Sequence, residues 1–207
     1  MPTATFFNLP EEKRNRIFNA AVEEFAGFRF SDASINRIVK AAGIPRGSFY
    51  QYFDGKEDLY LHILEKIGEE KMKIFSQHRL ADPSLSFFQA VNAAMPAIWD
   101  WADQHPLYSR IGLQMVRDDD EFVRRTVRRM DSSRELLVRL LEEDQRRGFI
   151  RREVDPALTA DLYLSIVTAF LQSFFSAGSR DEAVSRVQAI FDILFHGILR
   201  QDKEAQG

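Results

Sequence analysis

Ser34, Arg46, Gly47, Ser48, Tyr50, Tyr52 and Lys56 lie close together in the chain and share one kind of chemistry. A guanidinium can donate a parallel pair of hydrogen bonds to guanine O6 and N7, and a serine hydroxyl can bond several base edges or a phosphate. Tyrosine hydroxyls suit phosphate or thymine contacts. An ammonium beside the free backbone N–H groups of a helix start attracts a phosphate. Glycine lets a backbone approach where a side chain would collide. This is a set for holding a nucleic acid, and no bond-breaking set accompanies it. His62, His78, His105 and His196 are scattered, with neither an H-E-x-x-H pattern nor a second ligand at helical spacing. There is no G-x-S-x-G and no phosphate-cradling glycine loop. The absence of cysteine excludes thiolate and disulfide chemistry. Asp118, Asp119 and Asp120 suit a helix cap better than a cation site. The expectation is no catalytic residue, no metal and no cofactor.

The elements that must position these groups are helices. Ile35, Ile38, Val39 and Ala42 recur at helical spacing and make one apolar stripe. Ser34 can cap that helix through its hydroxyl, and Gly43 stands where a left-handed residue would end it. Ile44 can tuck under the turn, and Pro45 suits the first turn of a second, very short helix. Phe49 and Phe53 read as its core side. Two short helices across a tight turn, the second carrying polar and aromatic groups, form a helix-turn-helix pattern. Before it, Pro10, Glu11 and Glu12 open a helix whose stripe is Ile17, Ala21 and Phe25 and whose end is Gly27. After it, Lys56 opens a longer helix to about Arg79, with Leu59, Ile63, Ile67 and Ile74 inward.

The run Ala41-Ala-Gly-Ile-Pro-Arg-Gly-Ser-Phe-Tyr-Gln-Tyr-Phe-Asp-Gly-Lys-Glu-Asp-Leu59 resembles the DNA-binding signature of the TetR family of transcriptional repressors, over about the first sixty residues. The resemblance implies that Arg46, Ser48 and Tyr50 lie on the exposed side of a recognition helix. Gly47 would allow close approach, and Tyr50 and Tyr52 would offer hydroxyls. Lys56 and Ser34 would each hold a phosphate at a helix start. Two positions depart from the family pattern. Arg37 stands where an acid is common, which removes a usual ion-pair candidate. Pro45 replaces a Ser or Thr and takes no DNA role, and Lys40 reads as a solvated surface lysine.

Length and composition agree with this reading. The chain has 207 residues, 45% of them hydrophobic and 29% charged, enough for one or two helical domains. Its net charge of −3 divides unevenly, since residues 1–55 carry +1 and the remainder −4. Nothing at the N-terminus reads as a signal peptide. The longest apolar stretch, 163–175, is broken by Ser165, Thr168, Gln172 and Ser173, short of the about 20 apolar residues a membrane span needs. A cytoplasmic protein without membrane contact is expected.

Helices are expected at 84–103, 107–116, from Asp118–Asp120 to Arg147 with Gly148 at its end, 157–177 and 180–200. The whole is all-α, with an N-terminal helix-turn-helix domain (1–55) and a helical effector-binding and dimerisation domain (56–207). The helix 56–79 links the two. Leu171 and Phe175, with Val184, Val187, Phe191, Leu194 and Ile198 at alternating spacings of 3 and 4, suggest a seam for a homodimer. Met95, Trp99, Tyr108, Met115, Phe122, Met130, Phe170 and Phe174 are candidates to line an effector pocket, as is Trp101, although such stripes are more often core. The reading that unites these features is a dimeric repressor on a palindromic double-stranded DNA operator, released by a hydrophobic or aromatic small-molecule effector. The alternative is a helical small-molecule-binding protein without operator recognition.

Overall fold

A computed structural model describes residues 1–129 and 131–174, with 181–182, 184–186, 189–190 and 192–193. Every regular element among the described residues is a helix: α1 (Ala4–Phe7), α2 (Glu11–Gly27), α3 (Ile35–Ala42), α4 (Arg46–Tyr52), α5 (Lys56–Ala81), α6 (Phe87–Gln104), α7 (Pro106–Arg117), α8 (Glu121–Arg129), α9 (Asp131–Arg146) and α10 (Pro156–Phe174). The all-α expectation therefore holds. None of these helices is long and apolar enough to cross a membrane.

The chain divides into two compact units, and the division does not fall at residue 55. One unit is Met1–Ile74 with Ala97–Val127; the other is Phe75–Pro96 with the residues from Arg128 on. In the first unit α2 packs on both α3 and α7, and α4 packs on α1 and α3. The stripes read from sequence are the ones buried: Ile17, Ala21 and Phe25 of α2, Ile38, Val39 and Ala42 of α3, and Leu59, Ile63 and Ile67 of α5. Trp101, Ile111 and Val123 of α6 to α8 complete that core. Each Val, Leu, Ile or Phe side chain among them that is removed from water is worth roughly 1.5–3 kcal/mol.

The turn between α3 and α4 is set by Gly43, the left-handed residue at φ 65° and ψ 39°. Its N–H bonds Lys40 O and the Ile44 N–H bonds Val39 O, which closes the last turn of α3 in a Schellman motif. Ile44 is buried beneath it. Gly148, at φ 83°, ends α9 in the same way.

Several sequence expectations are corrected. Ser34 makes no side-chain cap bond to α3; the Glu24 carboxylate accepts its N–H instead, at 2.7 Å. The four-residue α1 was not foreseen, and its Phe6 is buried in the first core. α6 starts at Phe87 rather than at Ser84 because Ser84 is spent in a turn on Asp82, while Ser86 and Gln89 form a reciprocal capping box. The helix expected from Asp118–Asp120 to Arg147 is not among these corrections: its described parts are α8 and α9, and residue 130 between them lies outside the described residues. Asp120 does cap α8, accepting the Phe122 N–H at 2.8 Å.

In the second unit α9 packs on α10, and a forked Arg134–Asp161 pair joins them at 2.5 and 2.9 Å. The buried Asp144 accepts the Phe87 N–H at the start of α6. Arg147 donates to the carbonyls of Pro83 and Leu85 in the same loop.

Candidate nucleic-acid interface

α4 is seven residues long and has two faces of opposite character. Phe49 is fully buried, and Phe53 just beyond the helix is too. Arg46, Gly47 and Tyr50 are exposed and Ser48 is half-buried. The Arg46 guanidinium donates to Asn36 Oδ1 of α3 at 2.6 Å, and its other terminal nitrogen lies 3.4 Å from the Tyr50 hydroxyl. The Tyr50 ring, 48% exposed, rests edge-on against Phe49 with centroids 5.3 Å apart.

Gly47 has no internal reason to be glycine. A Cβ built there meets no neighbouring atom within 4 Å, and the only described glycines at positive φ are Gly43 and Gly148. A helical glycine costs roughly 0.5–1 kcal/mol relative to alanine.

Ser34 keeps its hydroxyl out of the α3 cap, and its residue is half-buried at the helix start. The same carboxylate that takes its N–H is gripped by Arg37, whose Nε lies 2.9 Å from both Glu24 oxygens. Arg37 thus makes an ion pair of its own, as the cation rather than the acid, and its guanidinium also stacks over Phe28 at 4.1 Å. The acid sits a helix away in α2, where reading along α3 alone does not find it.

Two predicted contacts are turned inward. Tyr52 is 4% exposed, packed against Phe6, with the Lys13 ammonium 5.6 Å from its ring centre. Its helical spacing from Phe49 puts it on the core side, and α1 covers it: Thr3 donates to the carbonyls of Tyr52 and Gln51. The Lys56 ammonium donates to the carbonyls of Phe30 at 2.5 Å, Ala33 at 3.1 Å and Ser31 at 3.4 Å, and lies 4.4 Å from the Phe30 ring centre. An ammonium has three N–H donors, so this one is engaged inside the protein rather than held out for a phosphate.

Phe30 is thereby a node. Lys56 holds its carbonyl, and the buried Asp118 takes its N–H at 2.6 Å while also accepting the Asp120 N–H at 2.9 Å. Its ring meets those of Phe25, Tyr60 and Phe122. Burial, and secondarily the Asp118 charge, push the Tyr60 hydroxyl well above its ordinary pKa, so it stays neutral. A second aromatic cluster encloses His62, which is 5% exposed among Phe6, Phe7, Phe18 and Phe53. Its Nδ1 has no hydrogen-bond partner. Burial lowers its pKa and outweighs the opposing charges of Glu65, Asp58 and Glu69; Lys66 lowers it further.

The pocket candidates separate. Tyr108, Met115 and Phe122 pack against the first unit's core, with Tyr108 stacked on His105 beside Trp101, and Trp99 is buried in that unit's segment. Phe122 belongs to the Phe30 node, so packing accounts for it without a cavity. Met95 is half-buried in the other unit. For Phe170, Leu171 and Phe174 only the helical backbone is described, and Met130 lies outside the described residues. Of the dimer seam, Val184 is half-buried, while Phe175, Val187, Phe191, Leu194 and Ile198 lie outside the described residues. Sequence reading missed Asn36, Glu24 and Asp118. Asn36 and Asp118 offered only a polar group near a helix start, and Glu24 only one near a helix end, signals that many solvated residues share.

Residues 17–63 match the model of the bacterial regulatory proteins of the tetR family. Over 199 residues the chain is 25% identical to the HTH-type transcriptional regulator YdgC of Bacillus subtilis (strain 168), covering 94% of this chain and 97% of that one. A TetR family transcriptional regulator from Chloroflexus aurantiacus J-10-FL shares the fold at TM-score 0.65 and 27% identity, over 97% of this chain and 100% of the other. SmeT, the repressor of the Stenotrophomonas maltophilia multidrug efflux pump SmeDEF, is also alike in fold. Its structure has a TM-score of 0.73 at 17% identity, over 93% and 94% of the two chains. Its triclosan complex has a TM-score of 0.75 at 16% identity, over 92% and 93%.

Proposed function

We propose that the chain is a DNA-binding transcriptional regulator of the TetR type, a homodimeric repressor whose α4 reads one half of a palindromic operator, as its similarity to such regulators supports. Arg46 reads a guanine, and Ser48 and Tyr50 contact base edges or adjacent phosphates. Gly47 brings the α4 backbone against the DNA. The Ser34 hydroxyl, with the start of α3, holds a phosphate. Tyr52 and Lys56 set the position of α4 and α5 and touch no DNA. The observation that carries this reading is the pairing of a fully buried Phe49 with an exposed Arg46, Gly47 and Tyr50, where a Cβ added at the glycine would meet no neighbouring atom.

A palindrome read by a two-fold dimer places half-sites about 34–36 Å apart, or somewhat more. The exposed Leu158 and Leu162, one turn apart on α10, support an apolar association through this end of the chain. An apolar or aromatic effector in the helical domain, and action in the cytoplasm where the operator lies, complete the proposal. The effector acts by favouring a separation of reading heads that does not fit the groove spacing.

The test is selection of genomic DNA fragments by the purified protein at near-physiological salt, with the bound fragments sequenced. Recovery of one palindromic site is expected. Binding without an enriched sequence would instead favour the small-molecule-binding alternative.

A further inference from the structure

We infer that Asn36 is a positioning residue for Arg46, so that the specificity of α4 depends on a side chain of α3. The inference rests on the operator-reading role proposed for α4. Arg46 is the first residue of α4 and Asn36 the second of α3, ten positions earlier, and the turn at Gly43 brings the two helix starts together. Both are exposed, yet Asn36 Oδ1 accepts a charge-assisted hydrogen bond from Arg46 Nη1 at 2.6 Å. Tyr50 Oη, at 3.4 Å from Nη2, brackets the guanidinium from the next turn of α4. An exposed arginine without such a bond populates many rotamers and loses that freedom when it docks on a base. With one terminal nitrogen fixed, the guanidinium is oriented before the DNA arrives, and its remaining N–H groups can form the two parallel bonds that guanine O6 and N7 accept.

The same geometry argues against Asn36 as a base reader in its own right. Bidentate recognition of adenine uses both the amide oxygen and the amide N–H₂ of asparagine. Here the oxygen is committed to Arg46. Asn36 therefore acts at the base pair Arg46 reads and at no other.

The experiment is site selection followed by titration of the full-length protein against the selected operator and its single-base-pair variants, for wild type, Asn36→Ala, Arg46→Ala and the double variant. Asn36→Ala should reduce discrimination at the Arg46 base pair by roughly three- to tenfold, the scale of ordering one rotamer-rich side chain. Discrimination elsewhere should stay unchanged, and the effect should vanish in the Arg46→Ala background. Asn36→Asp, which keeps the acceptor, should retain the discrimination ratio while weakening all sequences alike through its negative charge. Selective binding by wild type with the same preferences in Asn36→Ala would overturn the inference, as would loss at a different base pair. A wild type that selects no sequence would overturn the operator-reading role itself.

Discussion

Arg46 and Lys56 are both cations flanking the same short helix, and the fold treats them in opposite ways. Arg46 is left on the outer face of α4, tethered by Asn36 and Tyr50. Lys56 is drawn under the α2–α3 connection and bonded to three of its carbonyls. The contrast extends to their surroundings. Around Phe30 three sets of charges are engaged within the protein: Asp118 on its N–H, Lys56 on its carbonyl, and Arg37 with Glu24 nearby at the start of α3. On α4 the polar groups face outward and cost the protein little. A reading head needs both arrangements, because a side chain can discriminate bases only if the helix carrying it is held still.

Substitutions on the two sides should therefore separate stability from sequence preference. The largest effect is expected inside. Asp118→Ala strands the buried Phe30 N–H and releases the Asp120 N–H, which should cost roughly 2–4 kcal/mol of unfolding free energy. Denaturant titration measures this, and a loss within error of zero would remove Asp118 from the node. Lys56→Ala should cost about 1–2 kcal/mol for the lost charge-assisted bonds. Its salt dependence of DNA binding should match wild type, since its ammonium neutralises no phosphate. A flatter salt slope would instead place Lys56 on the DNA.

Outside, the order reverses. Arg46→Ala should leave stability within about 0.5 kcal/mol, as surface substitutions usually do. It should nonetheless cost roughly 1–3 kcal/mol of discrimination at one base pair. Gly47→Ala sharpens the comparison further. It should stabilise the free protein by roughly 0.5–1 kcal/mol through helix propensity, because the added methyl meets nothing. At the same time it should weaken operator binding. A variant that is both more stable and equally tight on DNA would break the close-approach role of Gly47.

The smallest effect belongs to His62 and emerges only in mild acid. Burial holds its pKa below the ordinary 6.5, so the unfolded chain takes up the proton before the folded one does. Stability is whole above about pH 6.5 and is lost as the pH falls through the lowered value. His62→Phe should remove that part of the pH dependence, leaving the acid response of the carboxylates. Parallel stability profiles for wild type and His62→Phe below pH 6.5 would show that the imidazole is not the group responsible.

What was legible in advance was whatever the local chain decides. The stripes of α2, α3 and α5, the left-handed Gly43 and Gly148, and the burial of Phe49 and Phe53 follow from periodicity and from φ/ψ preferences, which need only a few neighbouring residues. The short α4 and its outward Arg46 followed once that frame was set. Tyr52 and Lys56 sit otherwise than expected because their placement depends on segments far along the chain: α1 covers Tyr52, and the residues 30–33 present carbonyls to Lys56. Asp118, 88 positions from the N–H it accepts, is the extreme case.

The sequence by itself thus determined an all-α chain with a helix-turn-helix near its start, because helix period and turn chemistry are local. It also carried the resemblance to the TetR family, through a dense run of residues around that turn. Only the tertiary structure decided which polar groups are spent on the protein and which remain for a partner. Exposed and buried cations look alike along a helix, and the difference is made by whichever backbone carbonyl or carboxylate another segment brings within hydrogen-bonding distance.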